Sequence, residues 1–455
     1  MGDAWVRAYL TARDSGDRLA AQAGWGRGRG AAGTADLLVD PSHAFQEIEG
    51  FGGAFTEAAA VTLHGATPPQ QEEILRACFD PVHGLGYTLC RTHINSCDFS
   101  LGNYAHADRP GDLALEHFTI ERDRRHLVPM IRAAQRAAGG TFKLFASPWS
   151  PPAWMKTNGE MNHGGSLKPE CREAWAGCYV KFIEAYQREG IPIWGLTVQN
   201  EPAAAQRWDS CVYTAEEERD FVRDHLGPAL ARAGRQDVKL MVWDHNRDLL
   251  FERVKPIYED PDCARFVWGA GFHWYGGDHF DNVQRVHDAW PDKRLLFTEG
   301  CVEGGPHLGE WAVGERYGAS LFADLGRWAV GWVDWNLLLD ERGGPNHVGN
   351  FCSAPIHYDT RSRVIHYQSS YYYVGHFARF VRPGARRVAL ANPRQGLDAI
   401  AFRNPDAGVV VVAMNRADVP VPMSVTVGDD GASGELPAHA ILTLEWPERP
   451  RGGGT

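Results

Sequence analysis

Two glutamates stand where apolar runs end. Glu201 follows the run Ile-Trp-Gly-Leu-Thr-Val of residues 193–198, and Glu299 follows Arg294-Leu-Leu-Phe-Thr298. Each run reads as a short buried strand, so each carboxyl is expected at the mouth of the core. With 57 acidic residues, accidental carboxyl pairs are inevitable, and only this shared placement sets the pair apart. Two carboxyls facing each other across a small gap allow one to donate a proton to a leaving oxygen while the other attacks or stabilises carbon. Glycoside hydrolysis calls for that arrangement. Pro202 biases Glu201 away from the right-handed helical region, towards an extended backbone.

The elements that must position these groups alternate along the chain. Eight strand candidates begin near Gly50, Tyr87, Phe142, Ile193, Leu240, Gly269, Arg294 and Val330. Helical patterns separate them. Trp175, Cys178, Tyr179, Phe182, Ile183 and Tyr186 form one apolar face, a second helix is expected over 121–138, and Thr214-Ala-Glu-Glu217 has capping-box spacing. Repeated strand–helix units imply a parallel sheet, and eight of them imply a (β/α)8 TIM barrel. After residue 376 the pattern becomes strands at hairpin spacing, at 397–402, 409–415, 422–427 and 440–446. The expected organisation is N-terminal strands in 1–47 joining an antiparallel β-sandwich of 376–446, a catalytic barrel over 48–375, and a disordered tail at 447–455.

Composition narrows the functional classes. The net charge of −11 and the absence of a basic block argue against nucleic acid as a partner. No run approaches the roughly 18 apolar residues of a membrane span, so integral membrane association is not expected. Nine cysteines without a CxxC pair suit free thiols, and the opening residues carry neither a basic n-region nor an apolar run. A cytoplasmic location is the expectation. Gly28-Arg-Gly-Ala-Ala-Gly33 formally matches GxGxxG, but a glycine/arginine run precedes it and a strand-like segment follows. A dinucleotide site needs the opposite order, and a loop explains the run.

In such a barrel the reacting groups sit at the carboxyl ends of the strands. Those ends carry Arg91, His93, Asn95 and Asp98; the run 147–154 with Trp149 and Trp154; Asn200 and Glu201; Asp244, His245 and Asn246; His273, Trp274 and Tyr275; Glu299; and Trp335 and Asn336. Amides and carboxylates suit hydroxyl groups, and indoles suit the apolar faces of sugar rings. HExxH and a nucleophile-elbow serine are both missing, so no metal or cofactor is expected. His93, Asp244, His245 and Cys301 either support the site or are ordinary buried residues.

Several phrases carry a family resemblance: Gly50-Phe-Gly-Gly-Ala-Phe-Thr-Glu-Ala58, Asn95-Ser-Cys-Asp-Phe-Ser100, Ser147-Pro-Trp-Ser-Pro-Pro-Ala-Trp-Met-Lys-Thr-Asn158, Val198-Gln-Asn-Glu-Pro202, His273-Trp-Tyr275, Thr298-Glu-Gly-Cys301 and Asp334-Trp-Asn336. In collinear order over residues 45–445, the chain resembles glycoside hydrolase family 30, and within it the acid β-glucosidase (glucosylceramidase) branch. The resemblance implies a barrel with an appended β-sandwich and a retaining mechanism on a β-glycoside or oligosaccharide. It makes Glu201 the general acid/base and Glu299 the nucleophile, and places Asn200 at the sugar 2-hydroxyl. Arg91, Asp98, Trp149, Tyr275 and Trp335 would line the sugar subsite, Asp98 and Trp335 at its far hydroxyls, with His273 and Asn336 also beside the substrate. The loop of residues 203–211 does not match residue by residue, and it should face the leaving group. Alternatives are a β-xylosidase or β-fucosidase, an endo-β-1,6-glucanase, and a non-catalytic carbohydrate-binding barrel. The oligomeric state is open.

Overall fold

The computed structural model describes residues 6–27, 35–392 and 394–447. The glycine-rich match at 28–33 and nearly all of the expected tail therefore lie outside the described residues.

Eight strands close into a barrel: β1 (Gly50–Phe55), β2 (Leu89–Ile94), β3 (Lys143–Pro148), β4 (Gly195–Thr197), β5 (Lys239–Asn246), β6 (Gly269–His273), β7 (Arg294–Glu299) and β8 (Ala329–Asn336). Each pairs with its sequence neighbour, and β8 closes on β1. All residues of β1, β2, β6 and β8 are buried, as expected of strands covered on both faces. β4 is shorter than its apolar run, yet the pairing continues on both sides of it: Trp194 N–H donates to the Leu144 carbonyl and Val198 N–H to that of Met241.

The helix Arg172–Arg188 buries Trp175, Tyr179, Phe182, Ile183 and Tyr186, the face read from the sequence. The capping box at Thr214 is formed. The helix expected over 121–138 begins only at Leu127, behind a short 3-10 turn. Pro129 suits a first turn, where its missing N–H costs nothing.

Among the described residues, a second body holds ten strands in one hydrogen-bonded order. Its core gathers Leu37, Leu397, Val411, Met423, Leu442 and Trp446. The sheet is antiparallel except that 35–39 run parallel to 423–427. The expected strands near 397, 409, 422 and 440 are present, and the hairpin at 428–429 turns through Gly428 at φ +58°. Arg386–Ala391 and Asp430–Leu436 were not legible as strands. The first opens on two arginines and the second carries two glycines, both poor strand signals.

Close approach of β1 to β2 depends on Gly52, where a Cβ would stand 1.9 Å from the Leu89 carbonyl oxygen. Gly65 faces open space. Gly52→Ala should therefore cost about 3 kcal/mol or more, while Gly65→Ala should stay within about 0.5 kcal/mol of the parent. Urea denaturation of the two variants checks the contrast.

Candidate active site

Asp244 anchors the site. In the ladder between β5 and β6, Gly271 pairs with Trp243 and Phe272 with His245, so Asp244 is the extra residue of a bulge. Trp243 and Asp244 have φ of +70° and +49°. The bulge leaves the Asp244 carboxylate fully buried. There Oδ2 accepts from Arg91 Nη2 at 2.8 Å and Thr197 Oγ1 at 2.6 Å, and Oδ1 from His273 Nε2 at 3.0 Å and Thr298 Oγ1 at 2.6 Å. Gly271 leaves the room: a Cβ there would lie 3.1 Å from Asp244 Oδ1 and closer still to Thr298. The Asp244 backbone carbonyl also accepts the Glu201 N–H at 3.0 Å.

Glu201 is not extended. Its φ is +48°, in the left-handed region. Proline at 202 disfavours the right-handed helical conformation, but in place of the expected extended backbone Glu201 takes the left-handed one, with its N–H bonded to the Asp244 carbonyl. Strain of this kind costs about 1–3 kcal/mol and persists only where neighbours over-determine it.

Arg91 connects Asp244 to the second glutamate. Its Nη1 donates to Glu299 Oε2 at 2.5 Å, Nη2 to Asn200 Oδ1 at 2.9 Å and Nε to Ser147 Oγ at 3.0 Å. The guanidinium lies 4.6 Å from the centre of the Trp149 ring and 5.4 Å from that of Trp335, and those two rings stack at 5.0 Å. Tyr275 OH donates to Glu299 Oε1 at 3.0 Å. Glu201 has weaker company: His273 Nδ1 and Gln206 Nε2 each lie 3.3 Å from a carboxyl oxygen, and His245 Nε2 lies at 3.9 Å. Oxygens of Glu201 and Glu299 and a nitrogen of His273 all lie within 4.8 Å of one another.

A cavity of about 250 Å³ opens among these groups. Of the residues expected from sequence, Glu201, Glu299, Asp98, Trp149, Asn200, Tyr275 and Trp335 line it. Arg91, His273 and Asn336 do not; all three are fully buried behind the walls. Arg91 and His273 bond the residues that do line it, while Asn336 Oδ1 accepts from Thr56 Oγ1 at 2.6 Å. Asn200 has its Oδ1 taken by Arg91, which leaves its amide NH2 towards the cavity. Among the four undecided residues, His245 and Cys301 line the cavity and Asp244 is the anchor. His93 is a satisfied core residue, with Nε2 accepting from Glu57 N–H at 3.1 Å and Nδ1 bonded to the Asn95 carbonyl. Gln206 and Trp208, from the unmatched loop, also line the cavity, as do Glu303 and Asn350. The last two lie in long connections with no periodic signal. Asn350 and Asn346 both donate to Asp98 Oδ2 at 3.3 Å.

Charge is apportioned by burial and by these contacts. Burial, with the charges of Glu299, Asp209 and Glu201, pushes Asp98 up to about 8. Burial opposes a charge on His273, but Glu299, Asp244 and Glu201 outweigh it and raise the imidazole to about 9. Burial raises Glu201 too, and His245 and His273 as cations would pull it down to about 2. His245, however, is itself driven below its ordinary value by burial, so at neutral pH that pull is missing. Glu299 is pushed up by burial and by Glu201, against His273 and Arg91. Two carboxyls so close ionise one at a time. The guanidinium and phenol bonds on Glu299, both shorter than any contact to the Glu201 carboxyl, favour the anion on Glu299. By distance alone Glu201, His273 and Glu299 could cup a cation. A doubly bonded, protonated His273 has no lone pair to offer one, so the donor set does not fit a metal.

His273 gives a stability signature. Its folded pKa lies above the unfolded value of about 6.5, so its contribution is complete below that pH and is lost as pH rises through about 9. The stability gap between the parent and His273→Gln should therefore shrink from pH 6.5 to 9 in denaturant titrations. A gap constant over that window would contradict a charged His273.

Comparison with known proteins agrees with the barrel and the separate sheet. The glycosyl hydrolase family 30 TIM-barrel domain matches residues 48–381, and the family's beta sandwich domain matches 384–444. The chain is 37% identical over 429 residues to lysosomal acid glucosylceramidase of Mus musculus, covering 90% of this chain and 83% of that protein. The crystal structure of SrfJ from Salmonella typhimurium superposes with a TM-score of 0.92 at 38% identity, covering 98% of this chain and all of that one. A solved endo-beta1,6-glucanase gives 0.88 at 27% identity, covering 98% and 99%. This chain belongs to glycosyl hydrolase family 30 and is a glycoside hydrolase.

Proposed function

We propose that the chain is a retaining β-glucosidase, working by double displacement with Glu299 as nucleophile and Glu201 as acid/base. The observation that carries this reading is the pair of carboxyl oxygens within 4.8 Å. Retaining enzymes hold their carboxyls about 5–5.5 Å apart, whereas inverting ones need about 6.5–9.5 Å to admit a water.

The charges favour the same assignment. With Glu201 and Asp98 protonated, the buried site holds two cations, Arg91 and His273, against two anions, Asp244 and Glu299, and is neutral. Glu299 attacks the anomeric carbon while Glu201 gives its proton to the departing oxygen. The negative charge thereby passes from Glu299, now an ester, to Glu201. His273 Nδ1 lies 4.0 Å from Glu299 and 3.3 Å from Glu201, so one cation balances the charge in both states. Glu201 then takes a proton from the water that breaks the ester.

A β-glucoside is supported by the relative named a glucosylceramidase. The cavity of about 250 Å³ falls below the roughly 300–1,000 Å³ of pockets for drug-sized ligands and suits one sugar ring. Likeness to an endo-beta1,6-glucanase favours a second reading, cleavage within a β-1,6-glucan. Rates on an aryl β-glucoside, glucosylceramide and β-1,6-glucan separate the two, and the first reading expects the single-ring glucosides to be turned over.

The roles are tested by trapping. A 2-fluoro β-glucoside should add its sugar mass to the peptide containing Glu299, and a label elsewhere would refute the assignment. Glu299→Gln should abolish turnover. Glu201→Ala should slow glycosylation by unactivated aryl glucosides about 10²–10⁴-fold and by dinitrophenyl glucoside far less; equal losses would count against the acid role.

A further inference from the structure

Glu218 is fully buried in the helix Ala215–Phe221, yet it lines no part of the cavity. A carboxyl at such a position costs free energy unless something requires its oxygens. One oxygen is used: Oε1 accepts the Trp243 N–H at 2.9 Å. The other makes no hydrogen bond, its neighbouring cation being Arg253 at 3.9 Å. A leucine would fill the helix position without that penalty, so the acceptor for Trp243 is what the acid adds.

Trp243 opens the left-handed pair that forms the β5 bulge. Neither residue is a glycine, and each such conformation carries a cost of about 1–2 kcal/mol. A tethered N–H on the first residue holds the turn from the helix side. The second residue, Asp244, then acts in two directions: its carbonyl takes the Glu201 N–H, and its carboxylate takes Arg91 and His273. Arg91 in turn holds Glu299.

We propose that Glu218 is a positioning residue for the glycosidase reaction. By hydrogen-bonding the Trp243 amide it fixes the bulge through which Asp244 places both glutamates. The proposal rests on the assignment of Glu201 and Glu299 given above. It requires an oxygen acceptor and not a charge, and burial already pushes the Glu218 carboxyl up to about 7. Glutamine, nearly isosteric and with the same acceptor, should therefore substitute, and leucine should not.

The experiment compares the parent with Glu218→Leu and Glu218→Gln on a series of aryl β-glucosides. Working sites are counted by 2-fluoro glucoside labelling, so that lost protein is not mistaken for lost catalysis. For Glu218→Leu, kcat per labelled site should fall by about tenfold or more, because displacements near 1 Å carry penalties of about 10²-fold. KM should stay within about twofold, since no residue lining the cavity is replaced, and the loss should grow as the leaving group worsens because the Glu201 proton is misplaced. Glu218→Gln should remain within about threefold of the parent. A Glu218→Leu protein of lowered Tm but normal kcat per labelled site at every leaving group would overturn the proposal. So would a Glu218→Gln protein as impaired as Glu218→Leu. Should leucine prevent folding, Glu218→Asp, which withdraws the acceptor by one methylene, is judged by the same measures. A parent enzyme that takes no label at Glu299 would instead overturn the assignment of roles on which the proposal depends.

Discussion

A buried carboxylate with every lone pair in use holds this site together. Asp244 accepts four side-chain hydrogen bonds from β2, β4, β6 and β7, so four walls of the barrel mouth are tied to one point. Burying a carboxylate is tolerable only when it is paired and fully bonded, and removal of a partner from such a cluster costs about 3–5 kcal/mol. The bulge in β5 exists to turn that group inward, and Gly271 on β6 exists to leave it space. Glu201 and Glu299 occupy their places because they are bonded to Asp244 or to Arg91, which Asp244 holds.

That scaffold also decides the charge. Arg91 and His273 are cations that water does not reach, and each is bracketed by carboxyls. Interactions at such distances are far stronger than in water. Two cations are best balanced by two anions, and the short guanidinium and phenol contacts favour Glu299 beside Asp244. Glu201 is left as the site able to carry a proton. In the proposed double displacement, negative charge would pass between the glutamates beside a stationary imidazolium, without rearrangement of the surroundings, as electrostatic preorganisation requires.

Much of this was legible in the sequence because parallel barrel strands are near-continuous apolar runs that end abruptly in polar residues. Glu201, Glu299, Tyr275 and Trp335 were among the residues placed by that ending, and the family resemblance singled them out before any geometry. Backbone departures were not legible. Pro202 announces what Glu201 avoids, but the choice of a left-handed φ depends on the Asp244 carbonyl, contributed by another strand. The bulge at Trp243 and Asp244 leaves no mark in composition. Arg91 and His273 were expected at the sugar, whereas burial places them one layer behind it, where a strand residue's side chain faces its neighbours inside the barrel. Gln206, Trp208, Glu303 and Asn350 lie in long loops, whose paths follow tertiary contacts and not periodicity. Asp430–Leu436, with two glycines, pairs because Val421–Val427 lies beside it and not through its own propensity.

The central claim is that Glu299 is a charged nucleophile close enough to Glu201 for two successive displacements at one carbon. The stereochemistry of the first-formed product tests it most directly. Proton NMR spectra recorded in the first minutes of aryl β-glucoside hydrolysis, before mutarotation, should show the β-anomer of the free sugar appearing first. Initial release of the α-anomer would mean a single displacement by water, and would contradict the account.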